Sequence, residues 1–148
     1  MRMVVDTSAI IAAIVTTEPR HRECRRVLTD ATRAFVTPHV TTEVFYLLTA
    51  AGHARAAASF LDDVAAGFYE LVNPDRADYQ AAGEVIARHE GLLQRKKPKA
   101  GGLDLADAMN VVAAAKVETT ILATLDQDYR RIQPLSGPRF FSLVPDDQ

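Results

Sequence analysis

A chain of 148 residues, 48% hydrophobic and 24% charged, fits a single domain over 1–148 with a substantial core, and excludes wholesale disorder. One cysteine, Cys24, excludes an intramolecular disulfide, and with four scattered histidines it excludes a zinc ligand set. No stretch approaches the ~20 apolar residues of a membrane span, so a soluble cytoplasmic protein is expected; the net charge of −2 does not by itself point to a nucleic-acid partner.

In chain order, the apolar run Met3-Val4-Val5 predicts a short strand that stops at Asp6-Thr7-Ser8, a turn and helix-cap signal. A helix over 9–15 follows, and Glu18-Pro19 opens another that carries a basic cluster, 20–26, to about 31. Residues 34–36 read as a buried strand, broken by Thr37-Pro38 before a helix over 39–51 that Gly52 closes. The alanine-rich segment 53–66 predicts the second arm of a helical hairpin, ending at Gly67. A strand over 69–72 leads to Asn73-Pro74-Asp75, which caps a helix to about 90. The stretch 94–102, with three lysines and two glycines, is the most loop-like of the chain. A helix over 104–116, a β-branched strand over 119–123, a short helix over 126–132 and a last strand over 139–144 complete the pattern. Short apolar strands alternating with helices predict an α/β fold, a mainly parallel sheet covered by helices on both faces.

The informative residues are carboxylates standing where the periodicity expects apolar side chains. Glu43 shares a stripe with Val40, Val44, Leu47, Leu48 and Ala51, and Asp107 shares one with Val111, Ala114 and Ala115. Burying an unpaired carboxylate costs several kcal/mol, so each needs a partner or a proton. Asp6 and Asp126 instead follow apolar runs, at the carboxyl ends of predicted strands, where open α/β sheets bind ligands. Converging on one pocket, the four would repel one another unless a divalent cation sat among them. Mg²⁺ or Mn²⁺ suits such an all-oxygen site. Plainer readings stand beside this one. Asp6 and Asp126 fit helix caps, and Glu43 and Asp107 fit partners for arginines. Asp104 fits an N-cap with Asp107 at N3, or an outer ligand; Asp128 points away from Asp126 and fits only a ligand through water.

Val4-Val5-Asp6-Thr7-Ser8-Ala9 resembles the opening motif of PIN domains, an apolar strand followed by Asp and a small hydroxyl residue. Thr42-Glu43-Val44, Leu105-Ala106-Asp107-Ala108 and Thr124-Leu125-Asp126 with Tyr129 resemble their second, third and fourth acidic motifs, in order and at matching spacing over nearly the whole chain. The likeness extends to the VapC toxins of bacterial toxin–antitoxin pairs. It implies a PIN-like fold and Mg²⁺- or Mn²⁺-dependent endonucleolytic cleavage of tRNA or rRNA. It also implies a homodimer inhibited by a VapB-type antitoxin. Asp6, Glu43, Asp107 and Asp126 are then the catalytic and metal-holding residues. Thr7, Ser8 and Thr124 become candidates for hydroxyl contacts to water or phosphate, or simple turn caps, and Asn110 lies one turn beyond Asp107. Arg20 and Arg22 of the first basic cluster, and Lys96 and Lys97 of the second at 95–99, become candidates for the RNA backbone, although each cluster reads equally as a solvated surface. The insertion at 94–102 is less typical of the family. Other acid-based chemistries fit less well. A haloacid-dehalogenase-like site needs a second Asp where Ser8 stands, a receiver domain needs an acidic pair before the first Asp, and no GxxxxGK[ST] loop is present. An RNA-processing nuclease outside a toxin pair, or a PIN-like scaffold for protein binding, remains an alternative within the fold.

Overall fold

The computed structural model describes residues 1–93 and 103–148, so the loop expected over 94–102, with Lys96 and Lys97, lies outside the described residues. Twelve elements follow in order: β1 (Arg2–Val5), α1 (Thr7–Ile14), α2 (His21–Thr29), β2 (Arg33–Val36), α3 (Pro38–Ala50), α4 (Ala54–Ala65), β3 (Tyr69–Leu71), α5 (Arg76–Leu93), α6 (Leu105–Lys116), β4 (Ile121–Ala123), a 3₁₀ helix (Gln127–Arg131) and β5 (Ser142–Val144). The sheet runs β3-β2-β1-β4-β5 with every pairing parallel. β1 is therefore central, with Val4 opposite Phe35 on one side and Leu122 on the other.

Alternation along β1 divides the core in two. Met3 and Val5 point into a cluster with Ile10, Val44, Leu48 and Phe60, beneath α1–α4. Val4 points the other way, toward Met109, Val111, Leu122, Tyr129 and Leu143, beneath α5 and α6. Helices thus cover both faces, as the strand pattern predicts. Thr37 caps α3 by accepting from the Val40 amide at 3.3 Å, with Pro38 at the first helical position. Gly52 and Gly67, at φ 84° and 82°, close α3 and α4 in the left-handed region where a Cβ is strained.

Three expectations shift. The buried stripe of α3 is Val40, Val44 and Leu48; Leu47, at 41% exposure, and Ala51 lie outside it, because the 3.6-residue period rotates them toward solvent. β4 starts at Ile121 rather than 119, since Glu118 turns at φ 55° and the Thr119 hydroxyl donates to the Arg2 carbonyl at 2.9 Å. β5 starts only at Ser142, after exposed Arg139 and Phe140. Among the described residues no helix is long and apolar enough to cross a membrane.

Candidate metal centre

Parallel strands with β1 and β4 adjacent bring Asp6 and Asp126 to one end of the sheet, one residue after β1 and three residues after β4. An open cleft of about 410 Å³ forms there, lined by Asp6, Glu18, Glu43, Asp104, Asp107 and Asp126, together with Thr7, Ser8, Ile11, Leu47 and Leu125. All four acids singled out in the sequence meet in it. Glu18 and Asp104 join them, and among the described residues no cationic side chain lines the cleft. Asp128 is not in the lining; its amide donates to Asp126 Oδ1 at 2.8 Å.

Asp6 occupies the N-cap position of α1, but its carboxylate does not cap the helix. Its Oδ2 accepts from the hydroxyls of Ser8 at 2.7 Å and Thr124 at 2.8 Å, and its Oδ1 accepts from Asn110 Nδ2 at 3.1 Å. Burial raises its pKa above the ordinary carboxylate value, against the lowering effect of the two hydroxyls. Ser8 and Thr124 lie 3.2 Å apart and also accept from the Leu125 and Asp126 amides, at 2.9 and 3.0 Å. These hydroxyls tie the end of β1 to the loop after β4.

Asp107 is held from two directions. As N3 of α6 it forms a capping box with Asp104: the Asp107 amide donates to Asp104 Oδ1 at 2.9 Å, and the Asp104 amide to Asp107 Oδ2 at 3.4 Å. Its Oδ1 accepts from the Tyr129 hydroxyl at 2.9 Å. That hydroxyl accepts from the same Asn110 amide that reaches Asp6, at 3.0 Å. Asp6, Asn110, Tyr129 and Asp107 are therefore one hydrogen-bonded chain, and its middle members are buried, Asn110 fully and Tyr129 at 1% exposure. Among the described residues Asn110 Oδ1 has no partner. The Asp107 carboxyl is pushed up to about 7, first by burial, then by the charges of Asp104, Asp6 and Asp126. The sequence placed Asn110 one turn beyond Asp107, as an ordinary helix-face residue or a support for the acid, and Tyr129 as part of a motif. A buried Asn one helical turn from an acid was the available signal.

Glu43 reaches the cleft from α3 and accepts from the Thr7 hydroxyl at 2.6 Å. Asp126 caps the 3₁₀ helix through Oδ1, so its plainer reading is observed as well. Among the described residues no three acidic, histidine or cysteine side chains are drawn together as a ready ligand set. The acids line the cleft without converging on a point. The donor chemistry still fits a hard divalent cation: six carboxylates and two hydroxyls supply only oxygen, and among the described residues the negative charge has no counter-charge in the lining. Arg20, expected near RNA, is engaged by Glu23 and by Asp146 at 2.6 Å, whereas Arg22 is exposed.

Residues 3–134 match the PIN domain family. The chain is 30% identical over 145 residues, 97% of its length and all of the relative's, to Ribonuclease VapC26 of Mycobacterium tuberculosis. Similar folds include M. tuberculosis VapC20, a sarcin–ricin loop cleaving toxin, with TM-score 0.68 at 19% identity over 85% of this chain and 91% of that one. Another is VapBC2 of Rickettsia felis bound to a promoter DNA fragment, with TM-score 0.61 at 17% identity over 97% of each chain. A toxin–antitoxin complex of Klebsiella pneumoniae has TM-score 0.55 at 18% identity, over 92% and 97%.

Proposed function

The chain belongs to the PIN-domain family, and from that premise we propose that it is a divalent-metal-dependent endoribonuclease, the toxin of a VapBC-type pair, acting in the cytoplasm as one domain over 1–148. The observation that carries this is the cleft at the carboxyl ends of β1 and β4, with six carboxylates and, among the described residues, no cation in its lining. Asp6, Glu43, Asp107 and Asp126 would hold Mg²⁺ or Mn²⁺, directly or through water, with Asp104 at the margin. Bound there, the ion supplies an activated water for in-line attack on a phosphodiester and stabilises charge on the phosphate and leaving oxygen.

The chain's own part is orientation. Ser8, Thr124 and Asn110 fix both oxygens of Asp6, and Tyr129 fixes one oxygen of Asp107, so the two carboxylates keep their relative positions when the cleft is loaded. Thr7 does the same for Glu43. Structured RNA, tRNA or rRNA, is the substrate class; the sarcin–ricin cleavage in the name of VapC20 supports the rRNA option. A VapB-type antitoxin and a second copy of the chain are the proposed partners, and the exposed apolar side chains Tyr46, Leu61 and Phe68 fit protein contact.

The test is RNA cleavage with Mg²⁺ or excess EDTA, by the wild type and by Asp6→Asn and Asp107→Asn. The reading expects cleavage only by the metal-loaded wild type. Full activity of either variant, or of any protein in EDTA, refutes the metal-site assignment.

A further inference from the structure

Outside the acidic cleft, four of the described basic residues form ion pairs. Arg20 pairs with Glu23 and Asp146, Arg33 with Glu70, Arg130 with Asp147 and Lys116 with Asp78. Against that background, a second concavity of about 330 Å³ lies between α5 and the segment that follows the 3₁₀ helix. Arg88, Arg131 and Arg139 converge on it, and among the described residues none of the three forms a salt bridge. Its floor is apolar, from Val85 and Ile132, both buried. At its rim Phe140 is 58% exposed although its neighbour Phe141 is buried, and the Arg139 guanidinium lies 5.2 Å from the Phe140 ring centre.

We propose that this concavity binds one nucleotide unit of the RNA strand, with its phosphate on Arg88, Arg131 and Arg139 and its base stacked against Phe140. The chemistry is specific to that combination. Guanidinium forks match phosphate oxygens bidentately, and an exposed aromatic face beside a planar cation accepts an unpaired base of any identity. A reason to need such a contact follows from the charge distribution. The acidic cleft repels the polyanion it is to cleave, so positive potential must hold the strand from elsewhere. Among the described residues the concavity and the cleft have no lining residue in common; the 3₁₀ helix joins them, with Asp126 before its start in the cleft and Arg131 at its end in the concavity. Tyr129, whose hydroxyl donates to Asp107, precedes Arg131 by two residues and packs edge-on against Phe141, at 6.5 Å between ring centres. The inference rests on the ribonuclease reading for the identity of its ligand. A free nucleotide carries the same phosphate and base, and the experiment separates the two sources.

A labelled single-stranded RNA oligomer is titrated with full-length protein in EDTA, by fluorescence anisotropy at several salt concentrations. Wild type is compared with R88A/R139A, R88K/R139K and Phe140→Ala. Binding measured this way requires no cleavage. The double alanine variant is expected to bind about tenfold more weakly, with its salt slope reduced by about 0.7, the value for one single-strand phosphate. The double lysine variant keeps the charge and is expected to recover the slope. Phe140→Ala is expected to lose about tenfold in affinity at unchanged slope, as stacking carries no counterion release. In Mg²⁺ the same variants raise KM and leave kcat. Unchanged RNA affinity and slope in R88A/R139A overturn the proposal. So does adenosine monophosphate binding that depends on these arginines while RNA binding does not. RNA binding that depends on them, in a protein that cleaves nothing when given Mg²⁺, sustains this contact and refutes the nuclease reading instead.

Discussion

Replacing Asp107 by Asn should stabilise the metal-free protein while abolishing its activity. In the unfolded chain Asp107 titrates near 3.8, whereas in the metal-free fold it is pushed up to about 7. The folded state therefore keeps a proton that the unfolded state has lost. Stability from this group is full below pH ~4 and declines as pH rises through about 7. At full strength that interval corresponds to roughly 4 kcal/mol. The carboxyl is only half-buried, and screening by water reduces the figure to about 1–2 kcal/mol. The amide side chain keeps an oxygen to accept from Tyr129 and loses only the long bond from the Asp104 amide, 3.4 Å, worth a few tenths of a kcal/mol. Thermal melting in EDTA at pH 8 should place Asp107→Asn about 3–6 °C above wild type. At pH 5, where the folded carboxyl is neutral but the unfolded one is ionised, the difference should shrink to roughly a third, and it should vanish below pH ~4, where both are neutral. Saturating Mg²⁺ should reverse the order at pH 8, because a ligand that binds only the folded wild type raises its melting temperature. A variant that melts no higher than wild type at pH 8 in EDTA would refute the claim that burial among like charges makes the ionised Asp107 costly to the fold.

Tyr129→Phe removes the donor to Asp107 and the acceptor for Asn110 inside a fully packed wall; it should cost about 1–2 kcal/mol of stability and weaken Mg²⁺ binding about 10- to 100-fold, read by melting and by metal titration of cleavage. Thr124→Val deletes the hydroxyl that donates to Asp6 and accepts from the Asp126 amide. Chemical denaturation should show a loss of about 1–3 kcal/mol, and cleavage should fall at subsaturating Mg²⁺ before it falls at saturation. Asp126→Asn keeps an oxygen for the Asp128 amide, so the 3₁₀ cap survives. Melting in EDTA should be within about 0.5 kcal/mol of wild type while cleavage is lost, and retained cleavage would leave Asp126 as a cap alone.

Much of this was legible in the residues. The β1 run and the helices on either side of Gly52 follow from periodicity and turn chemistry, which act within a few residues. So does the assignment of Asp104 and Asp107 to a capping box. Glu43 was found for a partly mistaken reason. Its stripe is narrower than the apolar pattern suggests, and Leu47 leaves the core to line the cleft beside it. Glu18 was not visible, because a glutamate before a proline between two helices carries no periodic anomaly; only the packing of α1 against α2 and α3 brings it to the cleft. The Asp6–Asn110–Tyr129–Asp107 chain links residues 104 and 22 positions apart through groups whose partners the local sequence cannot name. The same holds for the arginines of the second concavity, drawn from α5 and from the far end of the chain.

The capping and metal readings of these acids, opposed in the sequence, are compatible in the fold. Asp6 begins α1, Asp104 and Asp107 form the first turn of α6, and Asp126 begins the 3₁₀ helix, so three helical N-termini meet at the cleft. Each N-terminus presents partial positive charge worth roughly 0.3–1 kcal/mol to a nearby carboxylate. That is too little to cancel the burial and mutual repulsion that drive Asp107 to about 7, yet it lowers the cost of gathering the acids before any cation arrives. Capping also uses oxygens unevenly. Asp104 and Asp126 each commit Oδ1 to a backbone amide, whereas Asp6 commits both oxygens to side-chain donors. Asp6 is thus the most rigidly oriented of the set, and Asp126 the one best able to turn its second oxygen toward an incoming ion. Substituting Ser8 by Ala frees one side of Asp6 without touching any cap, and its effect on Mg²⁺ affinity should therefore exceed its effect on melting in EDTA. Equal losses in both would place the hydroxyl in the fold alone.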